Sequence, residues 1–397
     1  MPGPLAGVKV LDLSQLVSGP FATMLLADQG AEVIKVEPIT GLGDVTRAPN
    51  FARGGFSAFF LNNNRGKRCL ALDITSDAGR EIVLELASES DVFVQNFRPG
   101  VLERLGLGYE SVKTVNNEIV YCSVSGFGPT GPYSGRPVLD SVIQGLIGMI
   151  SRQFNPEIPF PDLVRNIIAD KSTALTAAQA ITAALLAREK GRGGQHVEVP
   201  MLDSAMSFFW PDGMVDKTLL AEDASSGVTM ASVYSLTECA DGKIIYFVAS
   251  DPQRHGLYRA LGHPEWIEDP RFRDMVATSN PENFAALGVL LANALSAITV
   301  TDALDRLTAA DVPCGPVLDA DEALADPQLL HNETIQTWEH PLAGPIRQPR
   351  PAARFSATPA ELAATASLRG GDNDAILSEL GRSADDIERL RGAGIIT

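Results

Sequence analysis

The sequence contains little cysteine and little histidine for a chain of 397 residues. Its four cysteines lie far apart and form no CxxC pair, which indicates reduced thiols of a cytosolic protein and not a disulfide framework. The five histidines do not cluster, so we expect no zinc and no other metal site. The cysteines are Cys69, Cys122, Cys239 and Cys314.

Positive charge is also scarce, because 32 Lys and Arg face 49 Asp and Glu and the formal net charge is −17. Such a surface repels nucleic acid phosphates and anionic lipids, so we expect neither nucleic acid nor membrane as a partner. The longest apolar stretches, such as residues 175–186, are too short to span a membrane. Residues 1–10 lack the pattern of a signal peptide. The sequence therefore predicts a cytoplasmic protein in which any phosphate-bearing ligand needs a local basic pocket.

Strands and helices are predicted to alternate along the first half of the chain. Residues 8–13 form a short β-rich run, and residues 31–37 form a second one. Between them, residues 20–28 have the pattern of a helix, with Pro20 near its first turn and Gly30 just past its end. This spacing predicts a βαβ unit, a parallel sheet and the α/β class. Further helices are predicted over residues 77–87, 139–150 and 171–189, and further strands over residues 91–97, 119–126 and 196–200.

The pattern weakens around residues 208–230, where Trp210-Pro211-Asp212-Gly213 is typical of a linker or loop. A smaller α+β region follows, and its strand over residues 244–248 comes after a predicted Asp241-Gly242 turn. Pro313-Cys314-Gly315-Pro316 is predicted to break regular structure. At about 150 residues per domain, the length predicts two or three domains. Helices are predicted over residues 253–261, 282–297, 301–309 and 384–391, the last after the N-cap candidate Ser383.

The loop after the first strand, Ser14-Gln15-Leu16-Val17-Ser18-Gly19-Pro20, is the first candidate ligand site. It does not match GxGxxG, and no Walker P-loop occurs elsewhere, so a purely structural βα loop is the alternative. Ligands of open α/β sheets nonetheless bind beyond the carboxyl ends of the strands, where this loop is expected.

Asn64-Arg65-Gly66-Lys67-Arg68 is a small basic island in an acidic chain. Its three positive charges beside a glycine suit phosphate binding, although a charge run is more commonly a solvated loop. Arg98 and Arg104 add cationic groups after the strand that ends at residue 97.

Asp170 precedes a long predicted helix. The residues alone favour a structural N-cap at this position. The same position also suits a nucleophile, because a helix N-terminus stabilises the ionised carboxylate and carboxylates can act as covalent catalysts.

Taken in order, these segments resemble the class III CoA-transferase family, which includes formyl-CoA transferase and carnitine CoA-transferase. Each matching stretch is weak alone, whereas the ordered set is specific and covers essentially the whole chain. The stretches are Leu5-Ala6-Gly7-Val8-Lys9-Val10-Leu11-Asp12, Gly19-Pro20, Gly30-Ala31-Glu32-Val33-Ile34-Lys35-Val36-Glu37, Asn64-Arg65-Gly66-Lys67-Arg68 with Leu72-Asp73, Asn96-Phe97-Arg98-Pro99-Gly100 with Arg104 and Gly106, Ser125-Gly126-Phe127-Gly128, Ala169-Asp170, Gly191-Arg192-Gly193-Gly194-Gln195, Val312-Pro313-Cys314-Gly315-Pro316-Val317, and Pro341-Leu342-Ala343-Gly344.

The resemblance implies a Rossmann-like large domain formed by residues 1–205 and by the C-terminal part, residues 346–397. Residues 206–229 would be the outgoing linker and residues 326–345 the return linker of a small α+β domain, residues 230–325. It also implies an interlocked homodimer, with each active site between the large domain of one chain and the small domain of the other.

The resemblance further assigns Asp170 as the catalytic aspartate and places Gln15 and Val17 in the active-site loop near the thioester. Backbone groups of Leu72 and Thr75 would hold the adenine. No tightly bound cofactor is implied, since acyl-CoA and a carboxylic acid are substrates. The rest of the coenzyme A site would comprise Asn96, Phe97, Arg98 and Arg104, together with Lys67 and Arg68 of the basic island.

Two positions and one segment depart from the family pattern. Val17 stands where formyl-type members have Gln, and Asn166 stands where many members have Gly. Residues 224–228 stand where the formyl type has a Gly-rich flap.

The implied reaction moves coenzyme A from an acyl thioester to a free carboxylate through aspartyl anhydride and aspartyl-CoA thioester intermediates. An α-methylacyl-CoA racemase shares the fold, but it uses a His–Asp pair in a Gly-His-Asp stretch. Here that segment is Gly135-Arg136-Pro137-Val138-Leu139-Asp140, and no histidine precedes His196, which favours transfer. A non-catalytic acyl-CoA-binding protein with a degenerate site is a second alternative.

Overall fold

The chain divides into two compact units in the computed structural model, which describes residues 3–153, 161–224, 233–362 and 365–397. The first unit comprises residues 1–150, 163–208 and 328–397. The second comprises residues 151–162 and 209–327, so it is inserted into the chain of the first.

The helices and strands alternate in the first half of the chain and become mainly helical in the second. Up to residue 213 they are β1 (Lys9–Asp12), α1 (Ser18–Asp28), β2 (Glu32–Glu37), β3 (Ala52–Arg53), β4 (Phe56–Ser57), α2 (Ala58–Asn64), β5 (Lys67–Ala71), α3 (Asp77–Ser88), β6 (Val92–Gln95), α4 (Val101–Arg104), α5 (Tyr109–Val115), β7 (Val120–Ser125), α6 (Asp140–Leu146), α7 (Met149–Arg152), α8 (Ile168–Ala187), β8 (Gln195–Pro200) and α9 (Met201–Gly213). From residue 237 they are β9 (Thr237–Glu238), β10 (Lys243–Tyr246), α10 (Asp251–Ala260), α11 (Met275–Thr278), α12 (Pro281–Ser296), α13 (Val300–Ala309), β11 (Cys314–Pro316), α14 (Ala320–Leu324), α15 (Pro327–His331), β12 (Ile335–His340), β13 (Gly344–Pro349), α16 (Asn373–Glu379) and α17 (Ala384–Gly392). Single 3₁₀ turns lie at Val45–Arg47, Val215–Lys217 and Pro264–Ile267, and a π turn lies at Arg188–Arg192.

Six strands of the first unit form one parallel sheet in the order β5-β2-β1-β6-β7-β8. All four residues of β6 are buried, as expected for a parallel strand covered on both faces. The strand order reverses between β1 and β6, and the carboxyl ends of these two strands border the crevice in which such sheets bind ligands. The predicted parallel sheet and α/β class are confirmed.

Helices cover both faces of this sheet. On one face, α3, α5, α16 and α17 contribute to a single apolar core. On the other face, α1 and α8 pack through small residues, among them Ala22, Ala174 and Ala177. Alanine at these contacts allows the two helices to approach closely, and this brings their N-termini together at the carboxyl edge of the sheet.

The C-terminal tail completes the sheet edge beside β5. Asp372 and Asn373 accept hydrogen bonds from the backbone N–H groups of Cys69 and Ala71, at 2.7 and 2.9 Å. Ile396 forms an isolated antiparallel bridge with Leu72. Fully buried Ile376, Leu377 and Ile387 of the tail then join the core of the first unit.

The second unit has a small antiparallel sheet in the order β11-β10-β9. Helices α10, α12 and α13 pack on it around an apolar core that includes Tyr258, Leu295 and Leu307. Caps fix the helix starts, because Asn280 accepts from the N–H groups at the beginning of α12 and Thr299 does so for α13.

Three local predictions were wrong. The helix over residues 139–150 is broken into α6 and α7, because Gly148 between them takes a left-handed conformation with φ +79°. Trp210-Pro211-Asp212-Gly213 is the last turn of α9 and not a loop. Pro313-Cys314-Gly315-Pro316 contains edge strand β11, where a proline is tolerated because its missing N–H faces away from the sheet.

Residues 225–228, which belong to the segment compared with a Gly-rich flap, lie outside the described residues.

Among the described helices, no single one is long and apolar enough to cross a membrane. Only α12 and α13 taken together have the length and composition of a span, and they are bent by 119° relative to each other. The described residues contain no group of three or more His, Cys, Asp or Glu side chains placed to hold a metal ion.

Candidate active site

The loop between β1 and α1 lies at the carboxyl edge of the sheet and is held tightly. Asp12, at the end of β1, accepts hydrogen bonds from the Ser14 N–H at 2.9 Å and from the Ser14 hydroxyl. The Lys35 ammonium donates to the Ser14 carbonyl at 2.7 Å. A Cβ at Gly19 would lie 2.3 Å from the Ser14 Cβ, so glycine is required for the loop to close onto α1.

Buried ion pairs lie beneath this loop. Lys67 contacts Asp12 at 2.9 Å, and Lys35 contacts Asp44 at 2.9 Å, with no exposed surface on any of these side chains. Burial alone would raise the pKa of Asp12, but Lys67 and Lys35 together lower it to about 2. Burial lowers the pKa of Lys67 to about 8, against the opposing pull of Asp12. These two buried ion pairs therefore hold the β1–α1 loop in place.

The burial and pairing of these cations argue against the predicted phosphate binding by the basic island. Lys67 is fully buried and also donates to the Pro20 carbonyl, so a ligand phosphate cannot reach it. Arg65 is paired with Asp28 through two hydrogen bonds, at 2.8 and 2.6 Å. Arg68 is partly exposed, but its guanidinium is engaged by Glu379 through two contacts of 2.8 Å. Sequence spacing alone gave no sign that Arg65 and Lys67 are buried, or that all three cations are paired with carboxylates.

Asp170 lies in the first turn of α8, and not at the N-cap, which is Ile167. The predicted N-cap role was therefore wrong, and the carboxylate is available for other contacts. Its Oδ1 accepts a hydrogen bond from the hydroxyl of Ser18, the first residue of α1. Neither α1 nor α8 has a side-chain cap, and α1 has no acidic residue in its own first turn. The Asp170 carboxylate therefore lies between two uncapped helix N-termini, both of which favour negative charge.

Asp140, at the start of α6, fixes the backbone of Asp170. Its Oδ2 accepts from the Asp170 N–H at 3.0 Å, and its Oδ1 accepts from the Gln144 amide at 2.6 Å. Gln144 in turn exchanges hydrogen bonds with the backbone N–H and carbonyl of Val164, at 3.0 and 3.2 Å. This network holds the chain segment that precedes the catalytic candidate.

Burial raises the pKa of Asp170 above the ordinary value of a carboxyl group. Hydrogen bonds from the hydroxyl and backbone N–H of Ser18 act in the opposite direction, and the negative charge of Asp140 raises the pKa further. A partly desolvated carboxylate of raised pKa is a stronger nucleophile than a fully hydrated one, and such perturbed groups are concentrated at functional sites.

Asn96 ties the carboxyl end of β6 to the β1–α1 loop. Its side chain accepts from the Gln15 N–H at 2.9 Å and donates to the Gln15 carbonyl at 2.7 Å. Leu16, the next residue, has a left-handed φ of +67°. Val17 follows with its side chain buried, and it is the N-cap residue of α1.

A cavity of about 440 Å³ opens beside Gln15 at the carboxyl ends of β1, β2 and β5. Its walls are mostly apolar, and they include the predicted residues Leu72, Thr75 and Phe97. The amide of Leu72 donates to the Glu37 carbonyl at 2.9 Å, and the amide of Thr75 donates to Asp73 at 3.0 Å. Both amides are therefore engaged already. The Thr75 hydroxyl also donates to Asp73 at 2.6 Å, and the Thr75 carbonyl accepts from Arg80 at 2.8 Å. The remaining lining residues are Leu13, Val36, Glu37, Pro38, Ile39, Thr40, Asp73, Ile74, Val101 and Leu105.

Two exposed cations are close in the chain to residues that line this cavity. Arg98 follows the cavity residue Phe97, and Arg104 belongs to α4 between the cavity residues Val101 and Leu105. Within the described ranges of the chain, neither guanidinium makes a hydrogen bond or an ion pair. Both are available to an anionic ligand, in contrast to Lys67 and its neighbours.

The structure therefore groups most of the predicted site residues around one loop. Gln15 lines the cavity, and Ser18, three residues later, contacts Asp170. The sequence did not single out Ser18 or Gln144, and it considered Asp140 only as the counterpart of a racemase aspartate. The position of Ser18 directly before Gly19-Pro20 and a helix start was the available signal.

Comparison with known proteins places these features in a family. A sequence profile described as CoA-transferase family III matches residues 5–373. The chain is 34% identical to the succinyl-CoA:glutarate CoA-transferase of Homo sapiens, over 99% of this chain and 90% of that protein. It is also 34% identical to the acetyl-CoA:oxalate CoA-transferase of Acetobacter aceti, over 82% of this chain and 84% of that protein.

A solved structure supports the same relationship. The chain superimposes on a CAIB/BAIF family protein from Brucella suis with a TM-score of 0.80 and 32% identity, covering 96% of this chain and 100% of that one. Because the profile and the relatives extend over nearly all of its length, the chain belongs to CoA-transferase family III, and it is a CoA-transferase.

Proposed function

We propose that this protein transfers coenzyme A from an acyl-CoA thioester to a free carboxylic acid with Asp170 as the nucleophile. The observation that carries the proposal is the position of the Asp170 carboxylate, between the N-termini of α1 and α8 and in contact with Ser18. Desolvation makes this carboxylate reactive, while the two helix ends keep it ionised.

The proposed chemistry is a double displacement. The Asp170 carboxylate attacks the donor thioester and expels coenzyme A as its thiolate, which leaves a mixed anhydride. The thiolate attacks the aspartyl carbonyl, forms an aspartyl-CoA thioester and releases the donor acid. The acceptor carboxylate then attacks this thioester, and the thiolate returns to the acceptor acyl carbon. Water must be excluded throughout, because an anhydride hydrolyses readily.

Coenzyme A would occupy the crevice at the carboxyl ends of β1, β2, β5 and β6. The apolar cavity of about 440 Å³ has a volume typical of small-molecule sites and suits the adenosine end, between Leu72 and Phe97. Arg98 and Arg104, close in the chain to its lining residues, would meet the phosphates. Gln15 and Val17 of the same loop would then direct the thioester toward Asp170, as the family resemblance implies.

The nature of the acceptor is a finer proposal. The human and Acetobacter relatives are named for reactions with glutarate and oxalate, which are both dicarboxylates. A dicarboxylic acid is therefore the first class of acceptor to test.

We further propose that the protein is an interlocked homodimer in the cytoplasm, with large and small domains divided near the predicted linkers.

Family resemblance also admits an α-methylacyl-CoA racemase, but the chain lacks the base that racemisation needs. No histidine occurs in residues 1–195, and His196 is hydrogen-bonded to Ser123 at 2.9 Å and stacked on Tyr109. An anhydride needs a nucleophile and not a proton relay, so Asp170 suffices for transfer.

The proposal is tested by incubating the enzyme with a panel of acyl-CoA donors and dicarboxylic and monocarboxylic acceptors. New thioesters are detected by mass spectrometry, and hydroxylamine should trap an adduct on the peptide that contains Asp170. Rapid exchange of the α-hydrogen of a 2-methylacyl-CoA in deuterated water, without a trapped adduct, would show a racemase instead. Tight acyl-CoA binding with neither reaction would show a binding protein.

A further inference from the structure

The Ser18 hydroxyl holds one oxygen of the Asp170 carboxylate, so the two oxygens have different surroundings. The Ser18 hydroxyl donates to Oδ1, and the Ser18 backbone N–H also faces the carboxylate. No described side chain donates to Oδ2. The side chain of Ser18 is almost completely buried, which fixes its hydroxyl in this direction.

We propose that Ser18 makes Oδ2 the attacking oxygen and then stabilises the oxyanion that forms on Oδ1. The inference rests on the proposed function and assigns a distinct role within it to a residue that the family resemblance did not mark. Ser18 would touch the reacting group in every covalent step at the aspartyl carbon.

The sequence of bonds makes the two oxygens inequivalent. Oδ2 bonds to the acyl carbon of the donor as the thiolate leaves, so Oδ1 becomes the carbonyl oxygen of the aspartyl group. When the thiolate attacks the aspartyl carbon, the carbonyl electron pair moves onto Oδ1. The pair returns as the bond to Oδ2 breaks, and Oδ2 departs in the donor acid. No proton is transferred, so Ser18 has only to donate a hydrogen bond.

The same donation is needed when the acceptor arrives. Its carboxylate attacks the aspartyl thioester, negative charge again develops on Oδ1, and the thiolate leaves. When the thiolate finally attacks the acceptor acyl carbon, the bridging oxygen stays on Asp170 as its new Oδ2. Each complete cycle therefore replaces Oδ2 by an oxygen from the acceptor and keeps Oδ1.

The surroundings of Ser18 support a fixed donor and not a mobile hydroxyl. Gly19 allows the start of α1 to pack against Ser14, whose side chain is bound by Asp12. The charged group that faces Asp170 from α6 is Asp140, which cannot donate to Oδ1 when ionised. Lys171, the next residue on α8, is engaged by Asn166 at 2.6 Å. Ser18 is thus the side-chain donor that the described part of the site provides.

The test follows oxygen from an acceptor whose carboxylate is labelled with ¹⁸O through many turnovers, with the label counted on the Asp170 peptide. We expect one label in the wild-type enzyme and in Ser18→Thr, which keeps a hydroxyl. In Ser18→Ala the carboxylate is free to rotate, and a second label should appear. Two labels in the wild-type enzyme, or one label in all three proteins, would overturn the proposal. Complete absence of label from wild-type Asp170, with transfer occurring, would instead contradict the proposed function.

Rates provide a second measurement on the same proteins. At a pH well above the pKa of Asp170, single-turnover formation of the aspartyl-CoA thioester should fall by about 10- to 100-fold in Ser18→Ala, less than for loss of a sole oxyanion donor because the backbone N–H remains. Ser18→Thr should be faster than Ser18→Ala, and equal rates in these two variants would overturn the proposal. Ser172→Ala removes another buried hydroxyl of the site region, one that donates to the Ala169 carbonyl at 3.0 Å, and should keep the wild-type rate and label count.

Discussion

The side-chain amide of Asn96 makes two hydrogen bonds to the backbone of Gln15, one as acceptor at 2.9 Å and one as donor at 2.7 Å. Asn96 follows β6 and Gln15 follows β1, so this contact bridges the point at which the strand order reverses. It fixes a loop that lines the cavity at Gln15 and reaches Asp170 at Ser18. A single amide therefore links the proposed coenzyme A site to the proposed nucleophile.

Replacing Asn96 by Ala should weaken acyl-CoA binding and slow transfer together. The variant leaves the N–H and carbonyl of half-buried Gln15 without their side-chain partner, at a cost toward the lower end of the roughly 1–3 kcal/mol for a buried group. Calorimetric titration and steady-state kinetics measure the two effects. Asn116 is a matched control, because it bridges the backbone carbonyls of Ala87 and Ser90 away from the site. Asn116→Ala should lower stability and leave both binding and kcat unchanged, and equal kinetic effects of the two variants would contradict this role for Asn96.

Asp170→Asn should abolish transfer but raise the stability of the protein at neutral pH. Burial and the negative charge of Asp140 raise the pKa of Asp170 in the folded protein. Between the unfolded and the folded pKa, the folded state therefore keeps a proton that the unfolded state has released. The charge of Asp170 therefore costs stability once the pH exceeds the unfolded pKa, about 3.9, and the full cost is reached above the raised folded pKa. Asparagine removes this cost, while loss of the covalent nucleophile reduces the rate by about 10⁴- to 10⁶-fold.

Thermal unfolding at several pH values checks this prediction. The melting temperature of Asp170→Asn should exceed that of the wild type at pH 7, and the difference should disappear below about pH 4. Asp385→Asn is the control, because Asp385 is an exposed residue in the first turn of α17. It should retain transfer activity and should not gain stability at pH 7. Wild-type turnover in Asp170→Asn would exclude Asp170 as the nucleophile.

The sequence predicted the sheet and the loop more reliably than the roles of individual polar residues. Hydrophobic periodicity and the positions of Gly and Pro are local signals, and they were sufficient for the βαβ unit around Pro20 and Gly30. Whether a charged residue is buried depends on partners that are distant in the sequence, so no local signal predicts it. Lys67 was assigned to phosphate from its neighbours in sequence, but its partner Asp12 is 55 residues away and the pair is fully buried.

The contact between Ser18 and Asp170 likewise could not be predicted from local sequence signals. The two residues are 152 positions apart, and only the packing of α1 against α8 brings them together. The family resemblance marked Asp170 from a two-residue motif, but it could not indicate what would hold the carboxylate. The predicted N-cap failed for a related reason, since α8 begins earlier, at Ile168, than its apolar pattern indicated.

Arg104→Ala should weaken acyl-CoA binding by about 1.5–3 kcal/mol if the guanidinium makes a charge-assisted bond to phosphate. Arg98→Ala should have a similar effect, because neither cation has a partner among the described residues. The loss should shrink as salt concentration rises, since both side chains are exposed. Calorimetric titration at two ionic strengths measures it. Arg389→Ala, which removes an exposed cation paired with Asp386 in the tail, should leave the affinity unchanged, and an equal affinity for Arg104→Ala would make Arg104 a surface charge.

Lys67→Met should destabilise the protein by about 3–5 kcal/mol without changing the affinity of the folded protein for acyl-CoA. Methionine fills a similar volume, but Asp12 is then left buried without its closest cation, and breaking a buried pair costs this much. The pair holds the pKa of Asp12 at about 2, so it contributes stability above the unfolded pKa, about 3.9, that is lost as the pH falls toward 2. Chemical denaturation at pH 7 and at pH 3 should show a smaller deficit for Lys67→Met at the lower pH.

A second substitution separates this structural role from phosphate binding. Asp12→Asn in the Lys67→Met background removes the unpaired charge and should recover part of the lost stability, because the two changes act on one ion pair. Lys190→Met changes an exposed lysine of the π turn and should alter neither stability nor affinity. If Lys67→Met kept the wild-type stability and lost acyl-CoA affinity, Lys67 would be a phosphate ligand after all. The buried contacts of Lys67 with Asp12, Asn64 and the Pro20 carbonyl, all at 2.8–2.9 Å, predict the opposite outcome.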